Sequence, residues 1–259
     1  MLDCHIHLER GPYTIEWLGK FIRTAMERGL EEIWLLEHTH MFTESTPMYE
    51  EISHYSEYQR EWAQRRIGRR SLQEYTEFIR TARKLSYPIK LRFGLEVCYF
   101  EESEKLIGEL IRSFPFDFTV GSVHWIDGFG FDHKAELWDG QDVDRLYRRY
   151  YEIMKKLITS RLFTGVAHPD SIKVFGYLPS YDLSETYHEI ARLLKLHDMY
   201  AEQSGGLCLN YSKECELGMN SRLREILVTQ GVRILTASDA HSPENVGAYI
   251  SELHKLISG

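Results

Sequence analysis

Residues 1–38 read MLDCHIHLERGPYTIEWLGKFIRTAMERGLEEIWLLEH, an apolar run, an amphipathic stretch and a second apolar run. In the middle stretch Ile15, Leu18, Ile22, Ala25 and Met26 recur at helical spacing, Thr14 stands where a cap belongs, and Gly29 can end the helix. The strand-like IWLLEH follows at once. Strand, helix and strand in that order is the unit from which parallel sheets are built, so the fold class expected is α/β.

The alternation continues outward from this unit. Ser71 with Glu74 makes a capping box opening SLQEYTEFIRTARKL, IKLRFGLEV reads as a buried strand, and FDFTVGSVH repeats the pattern after a helix around 102–114. A long helix is expected from Val143 to Ser160, a strand at TGVAH, a helix from Ser184 to Tyr200 and a strand at GLCLN. A helix near 221–229, the strand VRILTAS and a helix near 244–257 close the chain. One barrel absorbs all 259 residues, so a single domain spanning 1–259 is expected. The exception is the segment 42–70, too long for an ordinary connection and read as a lid or insertion with some helix. Its five arginines between Arg60 and Arg70 read as a solvated, charge-paired face.

Composition excludes several classes. Hydrophobic residues at 43% and charged residues at 27% are ordinary globular values. A net charge of −8 sets the whole-molecule field against a nucleic-acid backbone. Cys4, Cys98, Cys208 and Cys215 form no CxxC pair and read as reduced thiols. No apolar run is long enough to span a bilayer, and charges interrupt the N-terminus where a signal peptide would be apolar, so the expected address is the cytoplasm.

Ionisable residues recur at the C-terminal ends of the expected strands. His5 and His7 end the first, Glu37 and His38 the second, Glu96 the third, His124 the fourth, His168 the fifth, and Asp239 with His241 the last. In a parallel barrel those ends open onto one face, so residues far apart in sequence converge. Imidazoles with carboxylates suit Zn, Mn or Fe, and a carboxylate between two ions can bridge them. His5 and His7, two apart on a strand, point to one side. His40 is a candidate partner of the ligands, whereas His54, His133, His188, His197 and His254 are expected to face solvent.

The segments HIH at 5–7, EH at 37–38, GLE at 94–96, SVH at 122–124, AHPD at 167–170 and SDAH at 238–241 resemble, in order, those of the PHP (polymerase and histidinol phosphatase) superfamily. GSVHWIDG, VAHPDSIKVFG and SDAHSPENVG are most similar to its histidinol-phosphate phosphatases, and AEQSGGL resembles an ENTSG-like segment of that group. The resemblance implies a distorted seven-stranded (β/α) barrel of the PHP type with two to three divalent metal ions. It implies one ion held by His5, His7, Glu96 and Asp239, a second by Glu96, His124 and His168, and a third by His38 and His241. Where the family has a further histidine after HxH, this chain has HLERGPYT, and Glu9 is the nearest replacement. GLEVCYF lacks an acidic residue two after Glu96, and Gln203 stands at an asparagine-like position.

The chemistry expected is hydrolysis of a small phosphorylated metabolite. Arg10 and Lys173 are candidates to clamp its phosphate, and His241 or Asp170 to protonate the leaving alkoxide. One rival is a phosphodiesterase or exonuclease on nucleotides, using the arginines of 60–70 and the cluster Arg145, Arg148, Arg149, Lys155 and Lys156. Another is a metal-binding interaction module without turnover.

Overall fold

In the computed structural model, which describes residues 1–211 and 216–258, seven parallel strands form a sheet in the order β1 to β7. They are β1 (Leu2–His7), β2 (Glu32–His38), β3 (Lys90–Cys98), β4 (Phe118–Ser122), β5 (Gly165–Val166), β6 (Tyr200–Ser204) and β7 (Ile234–Ala237). The seam between β1 and β7 carries a parallel bridge, Ile6 with Ala240, and His7 donates its amide to Ala240 O at 2.8 Å. The result is a nearly closed barrel with its helices outside. Cys215 lies outside the described residues; Cys4 and Cys98 are buried thiols.

The first unit forms as its residues dictate. Helix α1 (Ile15–Glu27) is capped by Thr14, whose hydroxyl accepts the Trp17 amide, and buries Leu18, Phe21, Ile22 and Ala25. Ser71 caps the helix Leu72–Ala82 by accepting the Glu74 amide, and Asp142 caps Val143–Thr159. Between sheet and helices lies a large apolar layer. A smaller core fills the barrel itself, with Cys4, Trp34, Leu36, Phe118, Val120, Ala167, Tyr200 and Ala237.

Three sequence expectations are corrected. GLCLN is not a strand: Gly206–Asn210 is a short helix, the preceding helix Ser184–Leu196 stops early, and the strand is YAEQS. This strand escapes the apolar pattern because Glu202 and Gln203 are fully buried yet meet tertiary partners, Glu202 bonding His5 and Gln203 Oε1 accepting the Met219 amide. The last helix begins only at Ile250, after a 3₁₀ turn at Pro243–Asn245. A two-stranded hairpin, Trp125–Ile126 with Phe129–Gly130, lies outside the barrel and had no sequence signal read for it.

The long segment after β2 runs through 3₁₀ turns and one helical turn into α2 (Glu57–Arg66). Its ends are pinned together: Phe42 bridges Arg70, Thr43 donates to Arg70 O at 2.8 Å, and Gly68 donates to His40 O at 2.9 Å. No helix among the described residues is long and apolar enough to cross a membrane.

Candidate metal centre and active-site cavity

At the C-terminal ends of the strands opens a cavity of about 340 Å³. Glu96, at the end of β3 and 1% exposed, is its hub. Its Oε2 lies 3.2 Å from His5 Nε2, 3.4 Å from His7 Nε2 and 3.3 Å from His38 Nε2. Its Oε1 lies 2.9 Å from His124 Nε2 and 3.3 Å from His168 Nε2. His38 is Glu96's register partner across β2 and β3, which sets those two side chains side by side.

The backbone is bent to deliver these groups. The pairing of β1 with β2 slips between Asp3 and Ile6, a bulge at Cys4 and His5. Cys4 packs inside the barrel, Ile6 packs on the helical side, and His5 and His7 both turn to the interior. Without the slip, strict alternation would put Cys4 inside and both histidines outside. His168 and Asp239 have φ of 27° and 57°, left-handed values that non-glycine residues adopt where a site requires them. Asp239 Oδ1 thereby comes within 3.6 Å of both His5 Nε2 and His7 Nε2.

The structure places Glu9 beside the two histidines expected for the third ion: its carboxylate is 3.5 Å from His38 Nδ1 and 3.8 Å from His241 Nε2. His40 is half-buried and its ring centroid is 4.9 Å from that of His38. Arg10 lines the cavity. Lys173 and Asp170 do not: they pair with each other at 2.9 Å, and Lys173 also reaches Glu216 and Gly218 O. His133, expected in solvent, is a correction: its side chain is 7% exposed and lines the cavity, packed on Trp62.

Two carboxylates escaped the sequence reading. Glu202 lies 2.9 Å from His5 Nδ1, and Asp132 2.7 Å from His124 Nδ1, each on the nitrogen turned away from Glu96. Such outer carboxylates fix ring orientation and raise ligand basicity. The only available signal for Glu202 was an acidic residue in an otherwise strand-length segment. Asp132 follows the unforeseen hairpin.

Electrostatics agree with a cation site. Burial pushes the Glu96 carboxyl up, yet His38 and His5, with bonds from His124 and His168, hold it well below its usual range. Burial disfavours charge on His124, and Asp132 with Glu96 overcomes this, raising it to about 10. His7 is raised to about 9 against burial by Asp239 and Glu96. His38 is pushed well down by burial and neighbouring histidines. Fit to metal is tested by the packing: His5 Nε2 and His7 Nε2 face each other at 2.9 Å, and His7 Nδ1 and His38 Nδ1 at 3.1 Å. Imidazole nitrogens that close, around carboxylate oxygens Glu96 Oε2 and Glu9 Oε2 that make no hydrogen bond, need cations or shared protons between them. Ligand atoms gather within 4.8 Å in the groups His5, His7, Glu96; His38, Glu96, His124; His7, His38, His241; and His7, Glu9, Glu37. The residues fit divalent metal.

Comparison with known proteins agrees with this geometry. The chain is 24% identical over 266 residues to a probable histidinol-phosphatase of Deinococcus radiodurans, covering 99% of this chain and 92% of the relative. It is 24% identical over 260 residues to a probable histidinol-phosphatase of Schizosaccharomyces pombe, covering 93% and 81%. A histidinol phosphate phosphatase from Lactococcus lactis, solved with zinc, L-histidinol and phosphate, shares the fold with a TM-score of 0.74 at 22% identity, covering 99% of this chain and 92% of that one. The family model described as PHP domain matches residues 3–204, which include the strand-end residues from His5 to Glu202, and with its barrel and histidine–carboxylate cavity this chain belongs to the PHP domain family.

Proposed function

We propose that the chain is a metal-dependent phosphatase that hydrolyses a small phosphomonoester, with L-histidinol phosphate as the substrate. The observation that carries the reading is Glu96 enclosed by five imidazoles at the floor of an open cavity. The printed names of the relatives, and the ligands of the Lactococcus lactis protein, support the choice of substrate. His5, His7, Glu96 and Asp239 would hold one ion, Glu96, His124 and His168 a second, and His38, His241 and Glu9 a third. Bound zinc, manganese or iron would supply Lewis-acid neutralisation of phosphoryl charge and lower the pKa of water.

The chain's own part is positional. Glu202 and Asp132 orient His5 and His124, so their inward nitrogens meet Glu96 already aligned. Of the two residues offered as proton donors to the leaving alkoxide, His241 lines the cavity, while Asp170 is engaged by Lys173 and the Asn220 amide. Arg60, Arg65, Arg70 and Arg149, half of the arginines that would serve a nucleic-acid reading, are engaged in ion pairs with neighbouring carboxylates, which disfavours it.

Protein purified without chelator is expected to carry two to three transition-metal ions. It should release phosphate from L-histidinol phosphate and p-nitrophenyl phosphate, with bis-p-nitrophenyl phosphate a poor substrate. Less than one ion after reconstitution, or a preference for the diester, overturns the proposal.

A further inference from the structure

We propose that Arg66, carried on α2 of the insertion, holds the substrate's phosphate, and that Gln59 is the positioning residue that sets α2 over the cavity. The proposal rests on the phosphatase reading above. Tyr58, Trp62 and Arg66 are four residues apart on α2, so they share a face, and all three line the cavity.

The five arginines of this segment differ in one respect. Arg60 pairs with Glu57 and Arg65 with Glu61, both at 3.5 Å. Arg69 donates to Arg65 O and Gln64 O at 2.7 and 2.6 Å, and Arg70 to Gly11 O at 2.7 Å. Among the described residues, Arg66 makes no ion pair or hydrogen bond. The carboxylates of the cavity all face histidines rather than Arg66: Glu96 lies among five imidazoles, Asp239 beside His5 and His7, Asp132 on His124, and Glu9 beside His38 and His241. A guanidinium with no carboxylate of its own is matched by an external anion, and its planar fork suits phosphate oxygens. Lys173, the other basic side chain expected to do this, is neutralised by Asp170 and Glu216.

The helix that bears Arg66 is fixed rather than loose. Gln59 is fully buried, and its amide donates to Ile52 O at 3.1 Å and Gly128 O at 2.6 Å while its Oε1 accepts the Gly130 amide at 3.1 Å. The bonds to Gly128 and Gly130 staple α2 to the hairpin and the bond to Ile52 ties it to the preceding helical turn, while Trp62 packs on Trp125 and His133 at 5.4 and 4.7 Å between ring centroids.

The test is calorimetric titration of inorganic phosphate into the metal-loaded protein, with metal content and melting temperature measured alongside. Arg66→Ala should weaken phosphate binding roughly tenfold or more and raise KM, with metal content unchanged, and Arg66→Lys should recover part of it. Arg65→Ala, the same charge change one residue away, should stay within about twofold. Gln59→Leu should weaken phosphate binding alone but add nothing in an Arg66→Ala background, which a general loss of stability would not produce. Arg66 is exposed, so its variants test the proposal even where Gln59→Leu does not fold. Wild-type binding that Arg66→Ala leaves intact overturns the proposal. A wild-type protein that neither binds phosphate nor releases it from any monoester overturns the phosphatase reading and this one with it.

Discussion

Glu96 is a carboxylate whose surroundings are almost entirely imidazole, and that is the residue-scale logic of the centre. Removing its charge removes the group that all five rings approach, while removing Glu202 only frees one ring to turn. Glu96→Gln is therefore expected to cost more than about 100-fold in kcat/KM, and more than His38→Ala. Glu202→Gln should lower metal affinity by roughly 10–100-fold, as loss of an outer partner does. Metal analysis and phosphatase assays on the three variants check this ranking. If His38→Ala proves the more damaging, Glu96 does not bridge.

At the scale of elements, the centre depends on backbone departures from regularity: the bulge in β1, left-handed backbone at His168 and Asp239, and a close approach by the short helix at Gly206–Asn210. A Cβ at Gly206 would lie 2.2 Å from Asp239 Oδ2 and 2.7 Å from its Cβ, so only glycine leaves the carboxylate where it is. Gly206→Ala should displace Asp239 from His5 and His7, lowering metal affinity and activity by tenfold or more for a stability cost of about 1–3 kcal/mol. Equilibrium denaturation with metal analysis separates the two effects. Wild-type metal affinity in that variant would show Asp239 has no part in holding an ion.

For the molecule as a whole, the weak point is the seam between first and last strands. Backbone pairing there is sparse, and the fully buried Asp3 compensates: its carboxylate accepts the amides of Ser238 and Gly247, both at 2.8 Å. Burial raises its pKa to about 6, with those bonds opposing. Since His5, His7, Asp239 and His241 lie on the two sides of this seam, the latch that closes the barrel also assembles the centre. Asp3→Ala leaves the buried Ser238 amide and the half-buried Gly247 amide without acceptors and should cost about 2–4 kcal/mol in urea unfolding, with weakened metal binding. A loss under 1 kcal/mol would mean the strand pairs alone close the barrel.

The sequence by itself determined the parallel α/β plan, the strand ends that carry histidines and carboxylates, and the residues that gather at one face. These are local matters: helical spacing around Ile15–Met26, caps at Thr14 and Ser71, and a histidine or carboxylate at the end of one apolar run after another. The fold class and family were legible for that reason, and Glu9 stood out because the resemblance puts a histidine near its position. Tertiary structure alone decided the rest. YAEQS is a strand because Glu202 and Gln203 meet partners from other segments, and no periodicity within the segment records that. His133 is buried because α2 folds over it, and Lys173 lies away from the cavity because Asp170 and Glu216 hold it. Which arginine of five faces the cavity is likewise a property of how α2 is stapled to the hairpin. In each case the deciding energy is a contact between residues distant in sequence, and such contacts exist only once the chain has closed.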